Sequence, residues 1–165
     1  MSFRLGAALA AGFFACAAPS ALAATDTDGM TVTATVIASC DVVADDLAFG
    51  NYDPVSGTPL DAETEIDVTC TNGTDYTISL NQGVGTGATV AARLMTSGAD
   101  TLTYALYQDS NHTIVWGQTI GVDTVAATGS GVAQTYDVYG RVPIHQTAPA
   151  GAGYTDTITV TVTYN

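Results

Sequence analysis

The chain contains no lysine and only three arginines, Arg4, Arg93 and Arg141, against sixteen acids, for a formal net charge of −13 at pH 7. Nucleic acid and anionic lipid are both bound through clustered Lys and Arg, so this deficit excludes them as partners. No run of about 20 apolar residues occurs, so direct membrane insertion is not expected either. The only histidines, His112 and His145, fall in loop-like sequence with no third partner, and both read as exposed loop residues. There is no nucleophile elbow, no His-x-x-x-His and no phosphate loop. The chain therefore does not read as an enzyme, and no catalytic residue is assigned.

Metals and cofactors are excluded on similar grounds. Zinc needs closely spaced Cys and His, which are missing. Asp26-x-Asp28-Gly29 lacks the remaining ligands and the bidentate glutamate of a calcium loop and reads as linker. Glycoside cleavage needs two carboxyls across a sugar-sized cleft, so Asp45-Asp46 and Glu63/Glu65/Asp67 read as a solvated acidic face. Although acidic, the chain is only 12% charged and 47% hydrophobic, enough to bury a core instead of remaining disordered.

Residues 1–23 have the form of a signal peptide. Arg4 gives a positive start, residues 5–15 an apolar stretch, and Ala21-Leu22-Ala23 a small-x-small cleavage site before Ala24. Cys16 follows an apolar run as a lipidated cysteine does, but Phe13-Phe14-Ala15 lacks the usual leucine and small residues, so Cys16 is expected to leave with the signal. About 142 residues remain, enough for one domain. Cys40 and Cys70, an even pair in an exported chain, read as a disulfide.

Almost nothing after residue 31 reads as helix. Short β-prone runs at 31–37, 40–43 with 47–49, 65–70, 76–81, 101–108, 114–116, 134–143 and 157–164 are separated by Gly, Asn, Asp and Pro, the profile of a β-sandwich. Alternation points Ile66, Val68, Tyr76, Ile78, Leu80, Leu102, Tyr104 and Leu106 inward. Asn72-Gly73 between two strong strands predicts a hairpin, and 83–87 and 126–131 read as small-residue connectors. Trp116 and the tyrosines read as core and sheet-face residues, and Arg141 as the partner of a nearby acid or carbonyl. At the C-terminal end Ile158, Val160, Val162 and Tyr164 share one face of an edge strand with no following segment to pair with it. Near the other end Met30, Val32, Ala34 and Val36 share one face of another half-apolar strand, behind the polar linker 24–29.

Cys40, Leu47-x-Phe49-Gly50-x-Tyr52, Cys70, Tyr76-x-Ile78-x-Leu80, Arg93-x-Met95, Leu102-x-Tyr104-x-Leu106-Tyr107, Trp116-Gly117, Tyr139-Gly140-Arg141, Gln146 and Gly153-Tyr154-x-Asp156-Thr157 stand in an order and spacing that resembles the spore coat protein U domain family. That family includes subunits of archaic chaperone–usher pili. The resemblance implies an incomplete immunoglobulin-like β-sandwich over 39–165 with an N-terminal donor-strand extension over 24–38. A periplasmic chaperone would lend a strand to the gap, and at the outer-membrane usher the extension of the next pilin would replace it. Met30, Val32, Ala34 and Val36 would be the donor residues, and the strand of Ile158, Val160, Val162 and Tyr164 would border the acceptor groove.

The leading expectation is thus an exported structural pilin of a homopolymeric or mixed fimbria, passing through the periplasm to the cell surface and serving adhesion or biofilm formation. The chain has no room for the further receptor-binding domain of a tip adhesin, which favours a shaft or adaptor subunit. One alternative is a structural protein of a spore or cell coat. Another is a monomeric secreted β-sandwich that binds a carbohydrate or small ligand, with strand 31–37 folded back into its own sheet, since alternation does not separate cis from trans insertion.

Overall fold

The computed structural model describes residues 22–151 and 153–165; the segment read as a signal peptide lies outside them up to residue 21. Two units are distinguished, residues 1–34 and 35–165. Residues 22–34, the described part of the first, form no helix or strand. The predicted strand 31–37 is therefore not observed. A single strand leaves its backbone groups without partners and is not stable by itself.

The second unit is all-β, with no helix among the described residues. Its strands are β1 (Cys40–Ala44), β2 (Leu60–Cys70), β3 (Asp75–Leu80), β4 (Arg93–Ser97), β5 (Asp100–Tyr107), β6 (Val125–Thr128), β7 (Gln134–Val142) and β8 (Val160–Tyr164). They make a five-stranded antiparallel sheet, β1-β2-β7-β5-β4, and a three-stranded one, β6-β3-β8. The inward residues expected from alternation are all buried, at 6% exposure or less, and are joined by Val138, Val142 and Trp116.

The local structure departs from the sequence pattern at several points. Asn72-Gly73 does not close a hairpin, because β2 and β3 lie in different sheets. Thr74 N–H bonds to Thr71 O at 3.0 Å, while Gly73 N–H donates to Gly129 O and Gly131 N–H to Cys70 O, at 2.8 and 3.1 Å, which tie the turn to the β6–β7 connection. Alternation does not reveal this, since strands facing each other across a core bury the same residues as strands side by side. Residues 125–128, all but the first expected to be connector, form β6 because β3 offers an edge on which Val125 and Ala127 pack inward. β4, which opens on Arg93, is not among the strands expected from the sequence. Residues 114–116 contribute only a bridge, Tyr107 to Val115.

His112 is not an exposed loop residue. Asp109 accepts Thr113 N–H, Ile114 N–H and the Thr113 hydroxyl at 2.7–3.0 Å, and His112 takes a left-handed φ of 58°. This curl leaves its side chain 7% exposed, edge-on to Tyr107 and Tyr139 with ring centroids 5.2 and 6.3 Å away. His145 is exposed. Beside His112, Arg141 grips Asp61 through Nε and Nη2 at 2.6 and 2.7 Å. That hydrogen bond and charge hold the Asp61 carboxyl below its usual range.

A folded-state value below the unfolded one stabilises the protein above about pH 4, and this is lost as pH falls through the folded value. The thermal midpoint is therefore expected to fall less between neutral pH and pH ~2 in Asp61→Asn than in the parent chain. Scanning calorimetry across that range checks it; equal acid losses would contradict it.

Candidate functional site

Each sheet ends on one open edge at the same cleft. β1 pairs only with β2, and β8 only with β3, among the described residues. Beyond β1 the chain stays near β2 for two residues, with Asp45 N–H donating to Glu65 O at 3.0 Å and the Thr64 hydroxyl to Asp46 O at 3.2 Å. It then turns inward at Leu47 and Phe49. Gly140 in β7 makes this possible: a Cβ there would stand 2.5 Å from Leu47 Cδ2 and 2.7 Å from Phe49 Cζ. Phe49 meets Tyr104 edge-on, ring centroids 5.9 Å apart. The Tyr52 hydroxyl donates to Pro143 O at 2.8 Å and anchors the departing segment.

The facing wall runs through residues 154–160. Thr155 exchanges two backbone hydrogen bonds with Thr96 of β4, at 2.8 and 3.0 Å, so the chain changes sheets between there and β8. Asp156 fixes the crossing by accepting Val84 N–H, Thr157 N–H and the Tyr104 hydroxyl at 2.7–2.8 Å. Gly83 is needed beside it, since any Cβ would collide with the Asp156 carboxylate. Burial, followed by the Asp156 bond, pushes the Tyr104 hydroxyl well above the usual phenol range, so it stays a donor at neutral pH. Asn81 Oδ1 accepts Thr159 N–H at 3.0 Å and leads the chain into β8.

Between these walls lies a cleft of about 550 Å³ lined by Leu47, Phe49, Ile66, Leu80, Met95, Tyr104, Leu106, Val138, Tyr154, Ile158 and Val160, with Asp45, Asp46 and Asp156 as its acidic members. A second lobe of about 590 Å³ shares Leu47, Ala48, Phe49, Met95 and Tyr154 with it and extends toward Tyr52, Leu60 and Leu102. Most of its apolar lining belongs to the core or packs directly against it. An apolar opening next to two strands that pair on one side only is the kind of surface on which an extended peptide gains main-chain hydrogen bonds and anchors for alternate side chains.

Ile158 and Val160 stand in the cleft wall. Val162 is opposite Ile78 and Tyr164 opposite Tyr76, farther along β8 and outside the lining. Met30, Val32 and Val36 are 80–87% exposed, and Ala34 is exposed too. Cys40 and Cys70 are bonded, their Cα atoms 4.1 Å apart on the β1–β2 ladder. Leu47, Phe49, Met95 and Tyr154 were not singled out as groove residues from the sequence. No cluster of three metal-ligating side chains occurs among the described residues, and no helix there is long and apolar enough to cross a membrane.

Arg93 holds the site from behind. It is 0% exposed, and its guanidinium donates to the carbonyls of Asn81, Val90, Leu80 and Trp116 at 2.7–3.1 Å. Burial lowers it to about 10, opposed by Tyr104, Asp156 and Asp123, so it stays charged at neutral pH. Trp116 completes the link between sheets by donating its Nε1–H to Ile78 O at 3.1 Å and its backbone N–H to Leu106 O at 2.9 Å.

The model of the Spore Coat Protein U domain matches residues 26–161. The chain belongs to the spore coat protein U domain family. Protein U of Myxococcus xanthus is 37% identical over 129 residues, 72% of this chain and 71% of that protein. A chain from the CsuC–CsuE chaperone–tip adhesion subunit pre-assembly complex of the archaic chaperone–usher Csu pili of Acinetobacter baumannii superposes with a TM-score of 0.57 and 28% identity. The match covers 78% of this chain but 40% of that one. The spore coat protein U domain here thus has the two antiparallel sheets of an immunoglobulin-like β-sandwich, the fold of a chaperone–usher pilus subunit.

Proposed function

We propose that this chain is a structural, non-enzymatic subunit of a bacterial surface pilus assembled by donor-strand exchange. The observation that carries the proposal is the cleft itself, floored by core side chains and reached by the end of β1 at Ala44 and the start of β8 at Val160, two strands that each pair on one side only. Such an opening leaves half-buried apolar side chains, Leu47, Phe49, Met95, Ile158 and Val160 among them, beside strands with a free edge, and invites aggregation unless a strand fills it. The occupant is the 24–38 extension of a neighbouring copy, with Met30, Val32, Ala34 and Val36 entering the cleft against the strand of Ile158, Val160, Val162 and Tyr164. Burying those four side chains stabilises the joint by roughly 5–9 kcal/mol before ordering costs.

Residues 1–23 direct export, and a periplasmic chaperone fills the cleft until an outer-membrane usher exchanges it for the next pilin. The finished pilus serves attachment and biofilm formation at the cell surface. The match to the Spore Coat Protein U domain favours a second reading, a coat structural protein built by the same joints.

The chain secreted with its chaperone is expected to run as a ladder in unboiled detergent gels, and the chain without residues 24–38 as a chaperone-bound or single copy. A stable monomer from the intact chain, with residues 31–37 protected from protease, would overturn the proposal.

A further inference from the structure

Asp28-Gly29 is the one Asp-Gly pair in the chain, and Asn72-Gly73 the one Asn-Gly pair. Both carry a chemistry that needs no enzyme, because a glycine nitrogen can reach the side-chain carbonyl carbon before it with no Cβ in the way. Their surroundings are opposite. Gly73 N–H donates to Gly129 O at 2.8 Å, and the buried Thr74 closes the turn on Thr71 O at 3.0 Å, so the nitrogen is engaged and the backbone is held on both sides. Asp28 and Gly29 are exposed and in no helix or ladder. Gly29 N–H rests on Asp28 Oδ1 at 2.8 Å, and no heavy atom outside residues 28–30 stands within 4 Å of where a Gly29 Cβ would be. Thr157 N–H makes the same 2.8 Å contact with Asp156, but Thr157 is β-branched and the Tyr104 hydroxyl and Val84 N–H pin that carboxylate.

We infer that Asp28 is a site of spontaneous isomerisation to isoaspartate. The Gly29 nitrogen loses its proton and bonds to Asp28 Cγ, and one oxygen of the protonated carboxyl leaves as water, closing a succinimide. Water then adds back. Opening at the former side-chain carbonyl restores aspartate; opening at the main-chain carbonyl leaves the backbone running through Cγ, one methylene longer, with the carboxylate kept. Nothing is oxidised or reduced, and composition and charge return to their starting values.

The modified link lies immediately before Gly29 and Met30, where the proposed donor residues begin. The linker that carries Asp28 is tethered directly to the proposed donor strand, and anchoring that strand narrows the backbone freedom the ring closure needs. Isoaspartate at Asp28 is therefore expected to build up faster in copies whose extension has stayed free; this consequence rests on the donor-strand reading, whereas the chemistry does not.

The purified chain is aged in warm neutral buffer, isoaspartyl groups are counted by enzymatic methyl transfer, and the site is located by fragmentation mass spectrometry. The expected result is accumulation at Asp28, little change at Asn72 or Asp156, and loss of the signal in Gly29→Ala. Faster change at Asn72, no excess at Asp28 over Asp156, or an undiminished signal in Gly29→Ala would overturn the inference. Ageing the assembled polymer separates the two layers. Slower accumulation there supports the donor consequence, while equal rates contradict it and leave the chemistry at Asp28 standing.

Discussion

Replacing Arg93 with glutamine is expected to destabilise the folded chain by about 3–5 kcal/mol. The guanidinium is the shared donor for carbonyls from three places: Leu80 and Asn81 at the end of β3, Val90 before β4, and Trp116 beyond β5. β4 and β3 belong to different sheets, so a single side chain staples the sandwich across its core. A buried carbonyl left without a partner costs about 1–3 kcal/mol, and glutamine can reach at most one or two of the four. Against a typical stability of about 5–15 kcal/mol this is a large fraction. In a chain of this size it lowers the thermal midpoint by about 10–20 °C. Arg93→Lys should lose less, since a point charge can serve fewer carbonyls than the planar fork but still serves some. Circular dichroism melts of both variants check the order, and a change under about 1 kcal/mol in Arg93→Gln would contradict it.

Opening the disulfide by Cys40→Ser with Cys70→Ser is expected to cost about 3–4 kcal/mol, the chain-entropy value for a closed loop of this length. The bond spans a sequence separation of 30 and joins directly opposed residues of β1 and β2. β1 is an edge strand of five residues, mostly exposed, so the bond is a large share of what holds it in place. With β1 loosened, the Leu47–Phe49 wall loses its anchor, and assembly should fall more steeply than stability. Denaturant titration reads the first effect and the unboiled gel ladder the second. A variant that matches the parent in both would contradict the role given to the bond.

Period-two alternation located the core well, because a buried face repeats every second residue whatever the strand order. It could not give the strand order itself, which is why Asn72-Gly73 passed for a hairpin. Arg93 is legible as a cation and, with Met95, as part of the family pattern, but nothing in the spacing shows that the charge is aimed at four carbonyls. The inward turn of Leu47 and Phe49 depends on Gly140, distant in sequence, so half of the cleft wall could not be read from alternation along β8. The burial of His112 is hidden for a similar reason, since the curl imposed by Asp109 folds a loop residue back against Tyr107 and Tyr139.

Two chains can test most directly whether the cleft takes the extension of another copy. One carries Val32→Asp and Val36→Asp, which spoil the donor and leave the cleft open. The other carries Ile158→Arg, which puts a charge in the cleft wall and leaves the donor intact. Mass by light scattering is measured for each alone and for the two secreted together with the chaperone. The expected result is no self-assembly by either variant and discrete one-to-one pairs when both are present. Single copies in the mixture, or polymers from either variant alone, would contradict exchange between subunits at this cleft.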